Sequence, residues 1–340
     1  MAEAAPAAEL PFSTRGGTSL PSRIYGFLVR LARQKPLGFA SLLLIVAMVV
    51  VAAMPGVFAR YDPAQSSIAE RLQNYCFGPK DTFLCPTTKG SESDNPFLAR
   101  PDIEGSFKQP LGTDRLGRDV YSRMVYGTRV AVYVGFGAVL LSSAISLAIG
   151  VLSGYFRGWV DALLQRVVDA IMALPTLVVL LAIVPLIPGG VNFRWLILAL
   201  GILGGAGGSR VIRSAVLGVR SSQYVDAARS IGATDMRIMV RHIVPNIFGP
   251  LMVQATIGLG TIILAEAALS FLGFGVRDPG QPTWGQMLQD ANRVAVQHPW
   301  GLVWPGLAIT LAVFSFNMLG DALRDLLDPR LRGAGGGRFS

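Results

Sequence analysis

Residues that could perform catalysis are sparse in this chain, and none lies in a standard catalytic motif. A P-loop needs a Gly-Lys pair followed by Ser or Thr. The residues that follow the four lysines are Pro, Asp, Gly and Gln, after Lys35, Lys80, Lys89 and Lys108 respectively. No Gly-x-Ser-x-Gly elbow occurs. The two histidines, His242 and His298, belong to no His-Glu-x-x-His motif, so no metal site and no enzyme activity are expected.

The composition instead indicates a membrane protein. Hydrophobic residues make up 51% of the chain and charged residues 15%, and the mean hydropathy is +0.49. Soluble domains carry about 25% charge, so this chain has too little charge to cover a water-facing surface. The net charge of +9 comes from arginines scattered at the ends of apolar segments, without a basic stripe between aromatic residues. Membrane topology explains these arginines better than nucleic-acid binding does.

The most distinctive stretch is the polar, basic segment 224–245, which lies between two long apolar segments. Ser222 is a suitable N-cap for a short helix through Ile231. Gly232 then stands where a left-handed C-cap residue is expected, because glycine has no Cβ to clash there. The pattern therefore predicts a short helix that ends in a bend.

A second short helix is predicted directly after this bend. Thr234 or Asp235 can cap its N-terminus. The helix is expected to end near His242, because Pro245 stops it.

A spaced pattern runs through this segment: Asp-Ala-Ala at 226–228, three residues, Gly232, ten residues, then Ile-Val-Pro at 243–245. The pattern resembles the cytoplasmic coupling loop of ABC importer permeases, although the family usually has Glu in place of Asp226. The two alanines give the first helix a small face that another surface can approach closely. The resemblance implies that the loop, 217–246, docks into a cleft on a separate ATPase subunit. The coupling residues expected on this basis are Tyr224, Asp226, Ala227, Ala228, Gly232, Ala233, Arg241 and Pro245.

Six apolar segments are close to the length of about 20 residues that a membrane-spanning helix needs. They are 37–54, 130–152, 163–187, 195–216, 247–272 and 300–319. A secretory signal is a weaker interpretation of the first segment, which is long and begins late. Pro175 is expected to kink the third span. The glycines at 201–208 have the small-xxx-small spacing of close helix packing, and a flexible gating element is the alternative.

Two amphipathic helices are predicted outside the spans. In 23–35, apolar residues at i, i+3, i+4 and i+7 stand beside three arginines, which is typical of a helix on an anionic membrane surface. A loose basic tail is the alternative there. In 120–129, three apolar residues form one face of a short helix that is expected to lie along the membrane and lead into the second span.

Three further motifs resemble the C-type subunit of the dipeptide, oligopeptide and nickel branch of ABC permeases. They are Pro-Leu-Gly-Thr-Asp-Arg-Leu-Gly-Arg-Asp-Val at 110–120, Ala-Ala-Leu-Ser-Phe-Leu-Gly-Phe-Gly at 267–275 with Pro-Thr-Trp-Gly at 282–285, and Asn-x-x-Gly-Asp-x-x-Arg-Asp at 317–325. With the coupling loop, the resemblance covers about residues 25 to 332.

This resemblance implies an all-α polytopic membrane protein with six transmembrane helices and the type I permease fold. The chain would form half of a pore beside a homologous second permease subunit, in the lipid bilayer. Two ATP-binding subunits would attach inside and bind ATP and Mg, and a periplasmic solute-binding protein would deliver substrate; this chain would bind no cofactor. Dipeptides or oligopeptides are the leading substrates, and nickel or another small solute is the alternative. An ion-coupled secondary transporter is the rival class, but the sequence has few mid-span acids and no convincing repeat.

Parity sets the expected orientation in the bacterial inner membrane. If the coupling loop faces the cytosol, three spans separate it from a long polar excursion, which must then be periplasmic, and both termini are cytoplasmic. Most arginines of the short loops then lie inside, as the positive-inside rule requires. The expected divisions are an N-terminal cytoplasmic tail at 1–36, a first transmembrane helix at 37–58, a periplasmic loop at 59–128, a five-helix core at 129–321 and a cytoplasmic tail at 322–340.

Three residues outside the loop are also candidate sites. Glu266 lies about nineteen residues into the fifth span, or roughly 28 Å along a helix, near the outer interface. It is either a pathway or outer-gate residue or a structural carboxylate at the interface. Cys76 and Cys85 lie in the predicted periplasmic loop, where an oxidising environment permits a disulfide. Two free thiols are the alternative.

Overall fold

Long apolar helices dominate the computed structural model, which describes residues 20–66, 74, 76, 82, 85, 108–187, 190–276, 278–296 and 298–327. In these ranges, the helices in chain order are α1 (Leu20–Gln34), α2 (Pro36–Ala53), α3 (Pro55–Phe58), α4 (Val120–Phe156), α5 (Gly158–Met172), α6 (Thr176–Ile183), α7 (Phe193–Arg220), α8 (Gln223–Ser230), α9 (Asp235–Ile238), α10 (Phe248–Phe271), α11 (Trp284–Asn292) and α12 (Trp300–Leu327). The predicted helix in 23–35 is therefore present as α1. The predictions for 1–19, for the other positions of 67–107 and for 328–340 concern residues outside the part of the chain that the structure describes.

Within the described ranges, five helical segments are long and apolar enough to cross a membrane. They are α2, α4, α7, the run Asp235–Phe271 and α12. The bent pair of α5 and α6 makes a sixth crossing if it is counted as one span. Each of the six predicted spans corresponds to one of these segments, so the predicted all-α, polytopic architecture is confirmed.

The second span is longer than predicted. Val120–Phe156 is one continuous helix of 37 residues, so the prediction of a separate surface helix at 120–129 is wrong. Asp119 caps this helix by accepting a hydrogen bond from the Ser122 N–H at 2.8 Å. Arg123, which the sequence places on a face other than the apolar face of this helix, is 1% exposed and lies within 4 Å of Asp114 and Asp290. The first turns of α4 are therefore packed inside the protein.

The third span is broken rather than kinked. α5 ends at Met172 and α6 begins at Thr176, and the two axes differ in direction by 75°. Pro175 lies at the break, as expected for a residue that has no backbone N–H and whose ring clashes with the preceding turn. α5 also begins at Gly158, earlier than the predicted start at 163.

The glycine-rich part of α7 packs directly against α4. A Cβ at Gly201 would lie 2.7 Å from the Leu141 side chain, and one at Gly205 would lie 2.7 Å from Ile145. α7 is unbroken through this region. The structure thus favours the interpretation of these glycines as close-packing positions, because larger side chains would push the two helices apart.

α12 packs antiparallel to α10, so the C-terminal end of α12 lies at the end of the bundle where α10 begins. A Cβ at Gly320 of α12 would lie 2.8 Å from Ile257, so the end of α12 lies beside the first turns of α10. Lys35, just before α2, forms an ion pair with Asp325 of α12 at 2.6 Å. We call this end, which carries residues 221–247, the loop end, and we call the other end of the bundle the opposite end.

Candidate coupling site

Gly232 ends α8 in the left-handed conformation that the sequence predicts. Its φ angle is +78°. Its N–H donates to the Arg229 carbonyl at 3.0 Å, and the Ala233 N–H donates to the Ala228 carbonyl at 3.1 Å. These are the two hydrogen bonds of a Schellman cap. Among described residues, nothing lies within 4 Å of the place where a Cβ would stand, so glycine is needed here for its backbone conformation and not for space.

The two predicted N-caps differ in how their side chains bond. Thr234 caps α9, because its hydroxyl accepts a hydrogen bond from the Arg237 N–H at 3.4 Å. Ser222 does stand at the N-cap position of α8. However, its hydroxyl donates to the Val219 carbonyl at 2.6 Å. Ser222 therefore stabilises the end of α7 rather than the first turn of α8.

The second short helix does not end near His242, and Pro245 does not stop it; both predictions are wrong. α9 continues into a π-helical stretch, Met239–Ile243, and then into a 3₁₀ turn, Val244–Ile247, which leads into α10. The wider and then tighter turns change the hydrogen-bond register, so the missing N–H of Pro245 falls in the first turn of the 3₁₀ segment. The loop is thereby joined to the fifth span by uninterrupted helical backbone from Asp235 to Phe271.

The inner face of the loop is buried against the ends of α4 and α7. We call this set of buried side chains the loop-end cluster; it consists of Val151, Tyr155, Ile212, Val216, Val225, Ala228, Ile238, Met239, Ile243 and Ile247. Val225, Ile238 and Ile243 each have 0% exposed surface. Burying a side chain of this size contributes about 1.5–3 kcal/mol, so the loop is packed as part of the bundle.

Tyr155, in the last turn of α4, links the loop to this helix by polar contacts. Its hydroxyl donates to Asp235 Oδ1 at 2.5 Å. Its interaction with the Arg229 side chain raises the pKa of Arg229 above its usual value. The Arg220 guanidinium lies 5.6 Å from the centre of the tyrosine ring. The sequence analysis missed Tyr155, for which the only signal was an aromatic residue with a polar tip at the end of an apolar span.

The outer face of the loop carries most of the predicted coupling residues. Those that are exposed are Tyr224, Asp226, Ala227, Gly232, Arg241 and Pro245. Ala233 is half-buried and packs against the loop-end cluster. The structure separates the two alanines of the predicted small face: Ala228 is buried in the chain itself, whereas Ala227 points outward. Only Ala227 is therefore available to another surface.

Large apolar side chains are also exposed on this outer face. Ile231 is 86% exposed, Met236 68% and Val240 56%. Tyr224 is 43% exposed. Exposed apolar residues that lie together commonly mark an interaction site. Ile231 and Met236, which flank the bend, were not identified from the sequence, because the motif resemblance drew attention to the small and charged positions.

Two ion pairs hold α5 to α7 near the loop end. Arg213 donates to both oxygens of Asp161, at 2.7 Å and 2.6 Å. Arg210 pairs with Asp169 at 2.5 Å, and both of these side chains are about half exposed, at 48% and 53%. The arginines of α7 thus hold α5, the first half of the broken third span, through its two acids.

Glu266 lies in α10 at the opposite end and is 3% exposed. The Ser270 hydroxyl donates to its Oε1 at 2.6 Å, and the Thr283 side chain interacts with the same carboxylate. Thr283 is also the N-cap of α11. These contacts tie α10 to the start of α11 and support the interpretation of Glu266 as a structural carboxylate.

Cys76 and Cys85 form a disulfide in the structure, and both are buried. The Cys76 N–H donates to the Pro110 carbonyl at 3.1 Å. The bridge is thereby attached to the first residue of the 110–120 motif. That neither cysteine of the purified, non-reduced protein can be alkylated remains a prediction.

A cluster of four charged side chains, of which Arg123 is buried and the other three are 11–19% exposed, holds this motif to α11; we call it the charge cluster. Arg118 forms ion pairs with Asp114 at 2.7 Å and with Asp290 at 3.0 Å. Arg123 lies 3.7 Å from Asp114 and 3.9 Å from Asp290. This cluster was not identified from the sequence, because Asp290 follows the other three residues by more than 160 positions and only Asp114 and Arg118 have a local spacing, i and i+4.

Comparison with known proteins identifies the family. Residues 146–333 match the family described as binding-protein-dependent transport system inner membrane component. The dipeptide transport system permease protein DppC of Alkalihalophilus pseudofirmus is 40% identical over 222 residues, which cover 65% of this chain and 72% of that protein. A putative peptide transport system permease protein of Brucella suis is 39% identical over 232 residues, covering 68% of this chain and 76% of the relative. The glutathione transport system permease protein GsiD of Escherichia coli is 38% identical over 228 residues, covering 67% and 74%.

A solved structure shares the fold. It is an inward-facing conformation of the MetNI methionine ABC transporter, and the match covers 61% of this chain and 96% of that chain, with a TM-score of 0.52 and 19% sequence identity. The predicted type I permease fold is therefore confirmed. The chain belongs to the inner-membrane permease components of binding-protein-dependent transport systems, the ABC importers.

Proposed function

We propose that this chain is the C-type permease subunit of a peptide importer and that residues 221–247 couple it to ATP hydrolysis. It pairs with a homologous permease subunit, two ATP-binding subunits and a periplasmic solute-binding protein. The loop end faces the cytoplasm, both termini are cytoplasmic, and the 59–128 segment is periplasmic. ATP and Mg²⁺ bind to the partner subunits, since this sequence has no P-loop.

The observation that carries the coupling role is the continuity between the loop and the fifth span. The outer face presents exposed apolar side chains for a partner, including Ile231 and Met236. The inner face is fixed by the loop-end cluster and by Tyr155. Helical backbone then runs without interruption into α10. A displacement imposed on the outer face is therefore transmitted to the spans, because packed helices move as rigid elements.

Peptide transport is supported by the relatives. Proteins 38–40% identical to this chain are named as dipeptide, peptide and glutathione transport permeases. All of these names refer to short peptides or to a peptide-like solute. We therefore assign dipeptides or short oligopeptides as the substrate class of this importer, with alternating access as the mechanism.

Two substitutions on the outer face test the coupling role. Ile231→Asp places a charge on the exposed apolar surface, and Ala227→Glu places a bulky charge on the small position of α8. Both should abolish co-purification of the ATP-binding subunits and reduce dipeptide uptake by at least about tenfold, at matched permease levels. Val296→Asp is the control, because Val296 is 96% exposed but lies at the opposite end. Normal uptake by both loop variants would contradict the proposal.

Orientation has its own test, based on single cysteines in a background without Cys76 and Cys85. Cysteines that replace Ser93 and Ser222 are treated with a membrane-impermeant thiol reagent in intact spheroplasts. We expect labelling at position 93 and none at position 222. The reverse pattern would invert the proposed topology without affecting the family assignment.

A further inference from the structure

A small cavity lies beside the charge cluster at the opposite end. Its volume is about 40 Å³. Its walls come from the 110–120 motif, the first turns of α4, α11 and the segment that leads into α12, and include Leu111, Arg115, Arg123, Met287, Asp290 and His298. About 10–15 Å³ of this kind of volume holds one water molecule, so the cavity has room for roughly three non-hydrogen atoms.

Three residues of this wall each have a buried nitrogen atom that has no hydrogen-bond partner among the residues that the structure describes. These atoms are Arg115 Nε, Arg123 Nη1 and His298 Nε2. Arg123 is 1% exposed and His298 6%. Buried polar groups in folded proteins nearly always have a partner, so three unpartnered nitrogens on residues that line one cavity point to an acceptor at that place.

The charges around the cavity favour an anion as that acceptor. Asp114 and Asp290 are matched by Arg118 and Arg123 in the charge cluster. Arg115 adds a further positive charge, and among the described residues it forms no ion pair with an acid. Burial lowers the pKa of His298 below its usual value, so the neutral ring can donate one N–H from Nε2 without adding charge.

We propose that this cavity is an anion site that takes one carboxylate group. A carboxylate has three non-hydrogen atoms, which matches the room available, and its two oxygens can accept several N–H bonds at once. Arg123 and Arg115 supply charged donors, and His298 supplies a neutral one. The carboxylate comes either from a small solute or from an acidic side chain of a docked protein. The site does not depend on the coupling role of the loop.

Formate is the probe, because its size matches the cavity. The complete permease complex, purified in nanodiscs, is unfolded thermally at constant ionic strength in sodium formate or in sodium methanesulfonate, whose anion is too large to enter. Formate should raise the unfolding temperature saturably, by about 2–4 °C, and methanesulfonate should not. No rise with formate in the wild-type protein would overturn the proposal and leave the cavity to water.

Two variants locate the effect. Arg115→Met keeps an unbranched apolar stem and His298→Phe keeps a ring, but each removes one of the orphaned donors. Either change should weaken the formate midpoint by at least about tenfold. Arg293→Met is the matched control, because it removes an exposed arginine at the same end that is not part of the cavity wall. If both cavity variants keep the wild-type formate midpoint, the assigned site is wrong.

Two further arms identify the source of the carboxylate. Glycylglycine, of which only the three-atom carboxylate group has to enter the cavity, is compared with glycylglycine amide as a competitor of formate; competition by the free acid alone assigns the site to a solute carboxylate. In the second arm, the affinity of the solute-binding protein for the permease complex is measured with and without formate. Weaker binding in formate, without competition by the dipeptide, assigns the site to an acidic side chain of that protein.

Discussion

At the loop end, residues 221–247 are held to the bundle mainly by apolar side chains and by the single hydroxyl of Tyr155. At the opposite end, the 110–120 motif is held by buried charges and lies against a disulfide. Apolar packing is non-directional and allows a surface to slide by small amounts, whereas buried ion pairs tolerate few arrangements. This difference suggests that the opposite end is built to keep one geometry and the loop end to receive and transmit movement.

Removing Asp290 should have the largest effect on stability. Asp290→Ala leaves Arg118 and Arg123 buried with one acid fewer, and breaking a buried pair in this way costs about 3–5 kcal/mol. Asp169→Ala is the control, because its pair with Arg210 is about half exposed and such pairs are worth about 0–1 kcal/mol. Thermal unfolding of both purified variants measures the difference. Equal losses would show that the two ends do not differ in the way we describe.

Removing the disulfide should have the next largest effect. Replacing Cys76 and Cys85 by Ser should cost roughly 2.5–3 kcal/mol, because a short closed loop is freed in the unfolded chain. Association with the ATP-binding subunits should stay normal, since the bridge is at the opposite end. Alkylation and mass spectrometry of the non-reduced wild-type protein first test whether the disulfide forms. If both thiols can be alkylated, there is no disulfide, and the substitutions should not change stability by this route.

At the loop end, changes should impair transport more than stability. Gly232→Ala places a Cβ at a φ angle of +78° and should cost about 1–2 kcal/mol. Gly232→Val should cost more and tilt α9 away from the ATP-binding subunit, so uptake is lost while the chain still inserts.

Gly218→Ala is the control, since Gly218 lies in α7 without a positive φ or a close neighbour, and it should be neutral or slightly stabilising. The test compares uptake with unfolding temperature; a parallel loss of both by Gly232→Ala would contradict the separation.

The smallest expected change in stability comes from Tyr155→Phe. This variant keeps the ring in the loop-end cluster but loses the bonds to Asp235 and Arg229, which is worth about 1 kcal/mol. We expect a clear loss of ATP-driven uptake with nearly unchanged co-purification of the ATP-binding subunits, because the docking face is intact. Tyr133→Phe, an exposed tyrosine of the same helix, should be silent. Normal uptake by Tyr155→Phe would mean that the apolar contacts alone transmit movement from the loop to the spans.

The sequence predicted those features that depend on neighbours along the chain. Apolar length located the spans, and Gly232 located the bend, because only its own backbone conformation is involved. The prediction failed where partners come from far away: nothing in the sequence indicated that Arg123 is buried beside Asp290. It also failed at Pro245, since the local rule that proline ends a helix does not include a change to π and 3₁₀ turns.

The π stretch at Met239–Ile243 also fixes a rotation between the docking face and the fifth span. In a regular helix each residue advances the side-chain direction by about 100°, and a π turn changes that advance. The direction in which Met236 points relative to α10 is therefore set by how many residues lie between them as much as by their identity. Inserting one residue at 239–247 would leave every contact side chain present but turn the docking face by roughly a quarter of a revolution. In this segment, the number of residues therefore determines the direction of the docking face as much as their identity does.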